Sequence, residues 1–167
     1  VKTSHVDSVV TVNGKSLKAS TDDGADSGGA IMGGNGSLTA EFEEIESDGY
    51  GYCVYWENGP MHVTAQRIKG YGNGAVSAIL QFGETPTGKF WVQADSITCT
   101  FPSGAETITS TNANAEAQIW IRALEISRTG GGGRAVICEG GKTYIEAQKI
   151  SASNDEAILV SQGATTT

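Results

Sequence analysis

The sequence predicts an all-β chain of stacked antiparallel hairpins, β-jellyroll or β-solenoid-like in form, with glycine-rich loops. Three observations predict it. A phrase of His or aromatic, β-branched, polar, Ala, two variable residues and Ile recurs at His62–Ile68, Trp91–Ile97, Trp120–Ile126 and Tyr144–Ile150. Glycine is abundant, at 23 residues, and proline scarce, at 3. Short β-branched and aromatic runs are bounded by Gly and Asn turn signals, the pattern of many short strands.

With 167 residues, a single β-rich domain over 1–167 is expected, with the repeats from about 37 to 163. In chain order, Val6 to Val12 reads as a strand, and Asn13-Gly14 after it is a strong two-residue hairpin signal. Lys15 to Ala19 then reads as a degenerate first copy of the phrase. Residues 20–36 read as a flexible Gly/Asp loop. Its carboxylates Asp22, Asp23 and Asp26 are candidate oxygen ligands for Ca²⁺, against the plainer reading of a solvated turn; no other cofactor is indicated. Asn35-Gly36-Ser37 is a glycosylation sequon.

Leu38, Ala40 and Phe42 alternate with Glu41 and Glu43, which argues a strand with one polar face. The glutamates also favour helix, and Gly36 and Thr39 count against it. Taking Ala40 as the phrase alanine leaves the following Ile two residues late. An aromatic run from Tyr50 to Trp56 precedes the Asn58-Gly59 turn and the first clear phrase. Further strands are expected at Ala75 to Phe82, at Ala135 to Glu139 and at Ala157 to Val160, with Ile108 as the apolar anchor of a Ser/Thr-rich stretch.

The phrase has a physical reading. Residues two apart on a strand share a face, so Val92 and Ala94 point together. Ile97 lies three beyond Ala94, and burying both requires a bulge or corner between them. Stacked in register, His62, Trp91, Trp120 and Tyr144 form a ladder on the opposite face, serving as internal packing, an assembly surface or a ligand platform.

Composition excludes several functions. The net charge is −8, and residues 1–60 carry ten acids against three lysines. Such a chain is a poor partner for nucleic acid or an anionic membrane surface. No stretch approaches the ~20 apolar residues of a membrane helix, so membrane insertion is not expected. Cys53, Cys99 and Cys138 match no zinc spacing; they read as small apolar residues in strands, or as one disulfide plus a free thiol. The chain starts at Val1, consistent with removal of Met or of a longer leader. With only His5 and His62, no Ser-His-Asp set assembles, and no P-loop or zinc-protease motif is present.

A strand ending in Gly, then Lys or Thr, then apolar-x-Ala-x-x-Ile resembles the OstA-like repeat of periplasmic lipopolysaccharide-transport bridge proteins. The clearest stretches are Ala135 to Ile150 and Ile79 to Ile97. The resemblance implies a twisted β-jellyroll that associates head to tail and carries lipid in an apolar groove, here lined by Val63, Val92, Ile121 and Ile145. The glycine run at 130–133 and the bulky aromatic before the Val depart from that family.

Three functions are carried forward. The first is a non-enzymatic structural subunit that self-assembles as a homo-oligomer into a filament, surface layer or virion component, extracellular or on a surface. The second is a periplasmic lipid-binding bridge. The third is a carbohydrate-binding module that presents Trp91 and Trp120 to a glycan.

Overall fold

The structure is a computed structural model that describes residues 1–3, 5, 8–21, 29–49, 51–71, 78–82, 89–101, 106–110, 118–160 and 165–166. Among the described residues, two parallel seven-stranded sheets face each other, and the chain alternates between them. The short sheet holds β1 (Lys2–Thr3), β3 (Gly29–Gly33), β5 (Tyr52–Trp56), β7 (Ala78–Phe82), β9 (Glu106–Ser110), β11 (Val136–Cys138) and β13 (Ile158–Val160). The long sheet holds β2 (Val9–Thr21), β4 (Ser37–Gly49), β6 (Met61–Tyr71), β8 (Lys89–Phe101), β10 (Gln118–Gly130), β12 (Lys142–Ala152) and the stub β14 (Thr165–Thr166). Each coil is one short and one long strand, and each stacks on the coil before it. This is a β-solenoid arrangement, in which a unit contacts chiefly its neighbours.

The expected antiparallel hairpins are therefore corrected to parallel strands. The reason lies in the phrase itself. It has a direction, from aromatic to Ile. An antiparallel pair would set Trp against Ile, whereas a parallel pair sets like on like. The observed register is like on like: Trp91 pairs Trp120, Ala94 pairs Ala123 and Ile97 pairs Ile126. Parallel neighbours need a crossover connection, and here the crossover is the strand of the opposite sheet.

Asn13-Gly14 is not a hairpin turn. Both residues lie inside the thirteen-residue β2 and pair with Glu41 and Phe42 of β4. Asn58-Gly59 does mark a turn, and Gly59 adopts a φ of 72°, open to glycine at no steric cost. The loop expected over 20–36 contains β3, whose Ile31 is fully buried. Asp22, Asp23 and Asp26 lie outside the described residues.

The core lies between the sheets. Val63, Val92, Ile45, Ile68, Ile97 and Ile126 of the long strands are fully buried, as are Ile31 and Ile108 of the short ones. Trp56 stacks on Phe90 across the interior, with ring centroids 5.3 Å apart. Every long strand also bends. In β6, β8 and β10 the alanine and the isoleucine of the phrase are both buried, with two more exposed residues between them. The alternation resets at that point, as the expected bulge or corner requires.

Candidate functional site

Four surfaces follow from this stacking: an aromatic ladder, a set of charge ladders, a furrow along the bend and the two ends of the stack.

The aromatic ladder forms as expected. His62 pairs Trp91, Trp91 pairs Trp120, and Trp120 pairs Tyr144, all on the outer face of the long sheet. Trp91 and Trp120 are stacked at 5.8 Å and 18°, and Trp120 and Tyr144 at 4.1 Å and 14°. His62 meets Trp91 edge-on at 6.2 Å. Rings stacked along the strand-to-strand direction cover each other's faces. Their edges remain outward, with Trp91 39% exposed. A sugar platform needs an open ring face, and within this ladder the faces of Trp120 are taken on both sides.

Val63, Val92 and Ile121, expected to line a lipid groove, point between the sheets and are at most 2% exposed. Ile145 continues the row and is partly buried, because its strand lies near the end of the stack. An acyl chain reaching this row would have to part the two sheets.

The second outer surface carries ion pairs along the stacking direction. Glu44 pairs Arg67 at 3.1 Å, Arg122 pairs Glu146 at 3.5 Å, and Glu125 pairs Lys149 at 2.9 Å. The densest set spans β2, β4 and β6. Lys69 donates to Glu46 at 2.8 Å, Lys18 donates to the Tyr71 hydroxyl at 2.6 Å, and that hydroxyl donates to Glu46 at 3.3 Å. Asp48 lies 3.6 Å from Lys18. The hydrogen bond from Lys69, then the charges of Lys69 and Lys18, hold the Glu46 carboxyl below the ordinary carboxylate range. Glu44–Arg67, Glu46–Lys69, Lys18–Glu46, Arg122–Glu146 and Glu125–Lys149 each link residues of the same rung on neighbouring strands, so a one-rung slip would break them together.

The third surface is a furrow along the bend. Its floor is the alanine slot: Gly14, Phe42, Ala65, Ala94, Ala123 and Ala147, in register from β2 to β12. Two adjoining depressions of about 510 and 410 Å³ share Gln93, Ala94 and Asp95. Sequence reasoning recognised the alanines and missed the furrow. The signal was present in the two consecutive outward residues that follow each alanine and the one that precedes it.

The fourth surface is the pair of stack ends. β2 closes one end and pairs only β4 among the described residues. At the other end β14 pairs only Lys142 and Thr143 of β12, so the edge from Tyr144 to Ala152 carries no further strand among the described residues. Val9 is 80% exposed, and Ile158 and Val160 of the last short strand are 41% and 46% exposed.

Among the described residues, no group of three His, Cys, Asp or Glu side chains converges as a metal site. Cys53, Cys99 and Cys138 are unpaired and buried. Burial pushes the Cys53 thiol up, and pushes Cys99 up to about 12 against the opposing charge of Arg128. Such thiols are poor nucleophiles. Arg128 was not singled out from sequence, and it is only 1% exposed. It sits in the inward slot beside Cys99 and donates to the carbonyls of Phe101 at 3.1 Å, Gly132 at 3.2 Å and Thr129. The glycine run at 130–133 thus folds around a buried guanidinium.

No protein-family model, curated protein or solved structure was found to match this chain.

Proposed function

We propose that this chain is a non-enzymatic structural subunit that joins copies of itself end to end in a repeating assembly, a filament, surface layer or virion component outside the cell. The observation that carries this reading is the chemistry of the two ends. The edge of β2 offers Val12, Leu17 and Ala19 in inward slots, all partly covered. The edge of β12 offers Ile145 and Ile150 in the slots of Val12 and Leu17, and Ala147 in the slot of Gly14, all partly covered. In the middle coils these slots are closed by the strand on either side.

A second copy translated along the stack would set Thr11 to Ala19 against Tyr144 to Ala152, parallel and in register. Val12 would meet Ile145, Gly14 would meet Ala147 and Leu17 would meet Ile150. That continues the pattern already running through the chain, and unpaired strand edges are ready templates for it. β14 occupies the two rungs that Val9 and Val10 of the second copy would take, so full pairing requires β14 to yield them.

The lipid-bridge alternative, with its periplasmic location, is less supported because its apolar row is closed between the sheets. The Trp91 and Trp120 glycan platform is less supported because the rings cover each other.

Light scattering after size exclusion tests the proposal. The expected result is a mass that grows with concentration in steps of one 17.3 kDa chain. A stable monomer at high concentration that never forms particles would overturn it.

A further inference from the structure

The furrow along the bend lies on the side of the stack, away from both ends, and the assembly reading makes no use of it. We propose that it binds a neutral, extended polysaccharide chain. The inference stands apart from the assembly proposal, since the furrow is present within one chain.

Shape comes first. The floor over β6 to β12 is the backbone at Ala65, Ala94, Ala123 and Ala147, whose side chains turn into the core. The outward residues on either side of each alanine stand above it as two walls. Six rungs at about 4.8 Å apart give a trough of about 24 Å. Each slot sits on the same slot of its neighbour, so the trough follows the stack and suits an extended chain better than a coiled one.

Hydrogen bonding comes second. Glu41, Thr64 and Gln93 stand on one wall, and Glu43, Gln66 and Asp95 on the other. None of these six makes a side-chain hydrogen bond or ion pair among the described residues. Next to the furrow, Glu44, Glu46, Arg67 and Lys69 are all paired, which leaves the six wall groups of β4, β6 and β8 open to a ligand. Amides and a hydroxyl donate and accept, and carboxylates accept from hydroxyls, so the walls match a chain with hydroxyls along both edges.

Charge decides between polymers. Arg122, a cation lining the furrow, is engaged by Glu146 at 3.5 Å. Of the free charges, Glu41, Glu43 and Asp95 are acidic and outnumber Lys15, which continues the second wall at the β2 end, and this balance disfavours a polyanion. A basic peptide would want carboxylates along its whole length, and the rungs of Thr64, Gln66 and Gln93 offer neutral groups instead.

Isothermal titration of the intact chain with cellohexaose tests the proposal, with maltohexaose, hexagalacturonate and hexalysine as comparisons. Binding of cellohexaose is expected, tighter than that of maltohexaose and with none for hexagalacturonate. The exposed double variant Gln66→Ala/Gln93→Ala should keep the native circular dichroism and lose about tenfold in affinity. Trp120→Ala should leave binding unchanged. No heat with cellohexaose would overturn the proposal. So would tighter binding of maltohexaose, loss of binding in Trp120→Ala but not in the double variant, or a preference for hexalysine that fades with added salt. None of these outcomes bears on the mass measured by light scattering.

Discussion

Gly14 and Phe42 face each other on adjacent strands, in the slot that holds alanine in the four later coils; a Cβ on Gly14 would stand 3.0 Å from the edge of the Phe42 ring. The small residue and the large one form a compensating pair. Gly14→Ala should therefore destabilise the chain by about 1 kcal/mol through crowding of the ring. The same change made on a Phe42→Ala background should cost little. Urea unfolding of the four proteins of this cycle measures the coupling. Equal costs in both backgrounds would show that the two side chains do not compete for space.

That pair also explains what the sequence concealed. The aromatic ladder and the joint burial of alanine and isoleucine were legible, because side-chain period and a repeated phrase dictate them. Strand direction was not read, although like-on-like stacking of a phrase with a direction already requires parallel strands. Asn13-Gly14 carries the chemistry of a hairpin turn, yet here the glycine makes room for Phe42 and the asparagine faces outward. Counting from Ala19 and Ala40 misplaced the first two copies. With Phe42 in the alanine slot, Ile45 falls three residues on, as in every other copy, and Leu17 stands likewise to Gly14. β3 was hidden because two glycine pairs and a run of aspartates surround its short apolar core. The furrow escaped notice because each wall draws on several residue types, and only the register brings them into line.

Glu46 should give the chain an acid-sensitive limb. Lys69, Lys18 and the Tyr71 hydroxyl face it, with Asp48 beside Lys18. Its carboxyl titrates lower in the folded chain than in the unfolded one. The stabilisation is therefore full above the ordinary carboxylate value of about 4.3 and is lost as pH falls through the lowered folded value. Thermal melts across this range should show Glu46→Gln less stable at neutral pH and with a shallower loss in acid. Parallel pH profiles for the two proteins would assign the acid limb to other carboxylates.

Arg128 should be among the costliest residues to replace. Its guanidinium is buried and donates to the carbonyls of Phe101 on β8, of Thr129 just before the glycine run and of Gly132 within it. Arg128→Met keeps much of the volume and strands those carbonyls, for an expected loss of about 2–4 kcal/mol in urea unfolding. An unchanged midpoint would mean that the loop satisfies its own carbonyls without the side chain.

The account rests on a parallel stack whose two ends fit each other, and intermolecular disulfide trapping tests that most directly. Asn13 on β2 and Glu146 on β12 occupy the same outward slot at opposite ends. In an in-register junction they would lie about 4.8 Å apart between Cα atoms, within the range of a disulfide. The native cysteines are buried and should stay silent. Mixing Asn13→Cys with Glu146→Cys under mild oxidation should give a covalent dimer that neither variant forms alone, and the double variant should give a ladder of multimers. Equal cross-linking of either single variant with itself, or a double variant that remains monomeric at high concentration, would contradict the account.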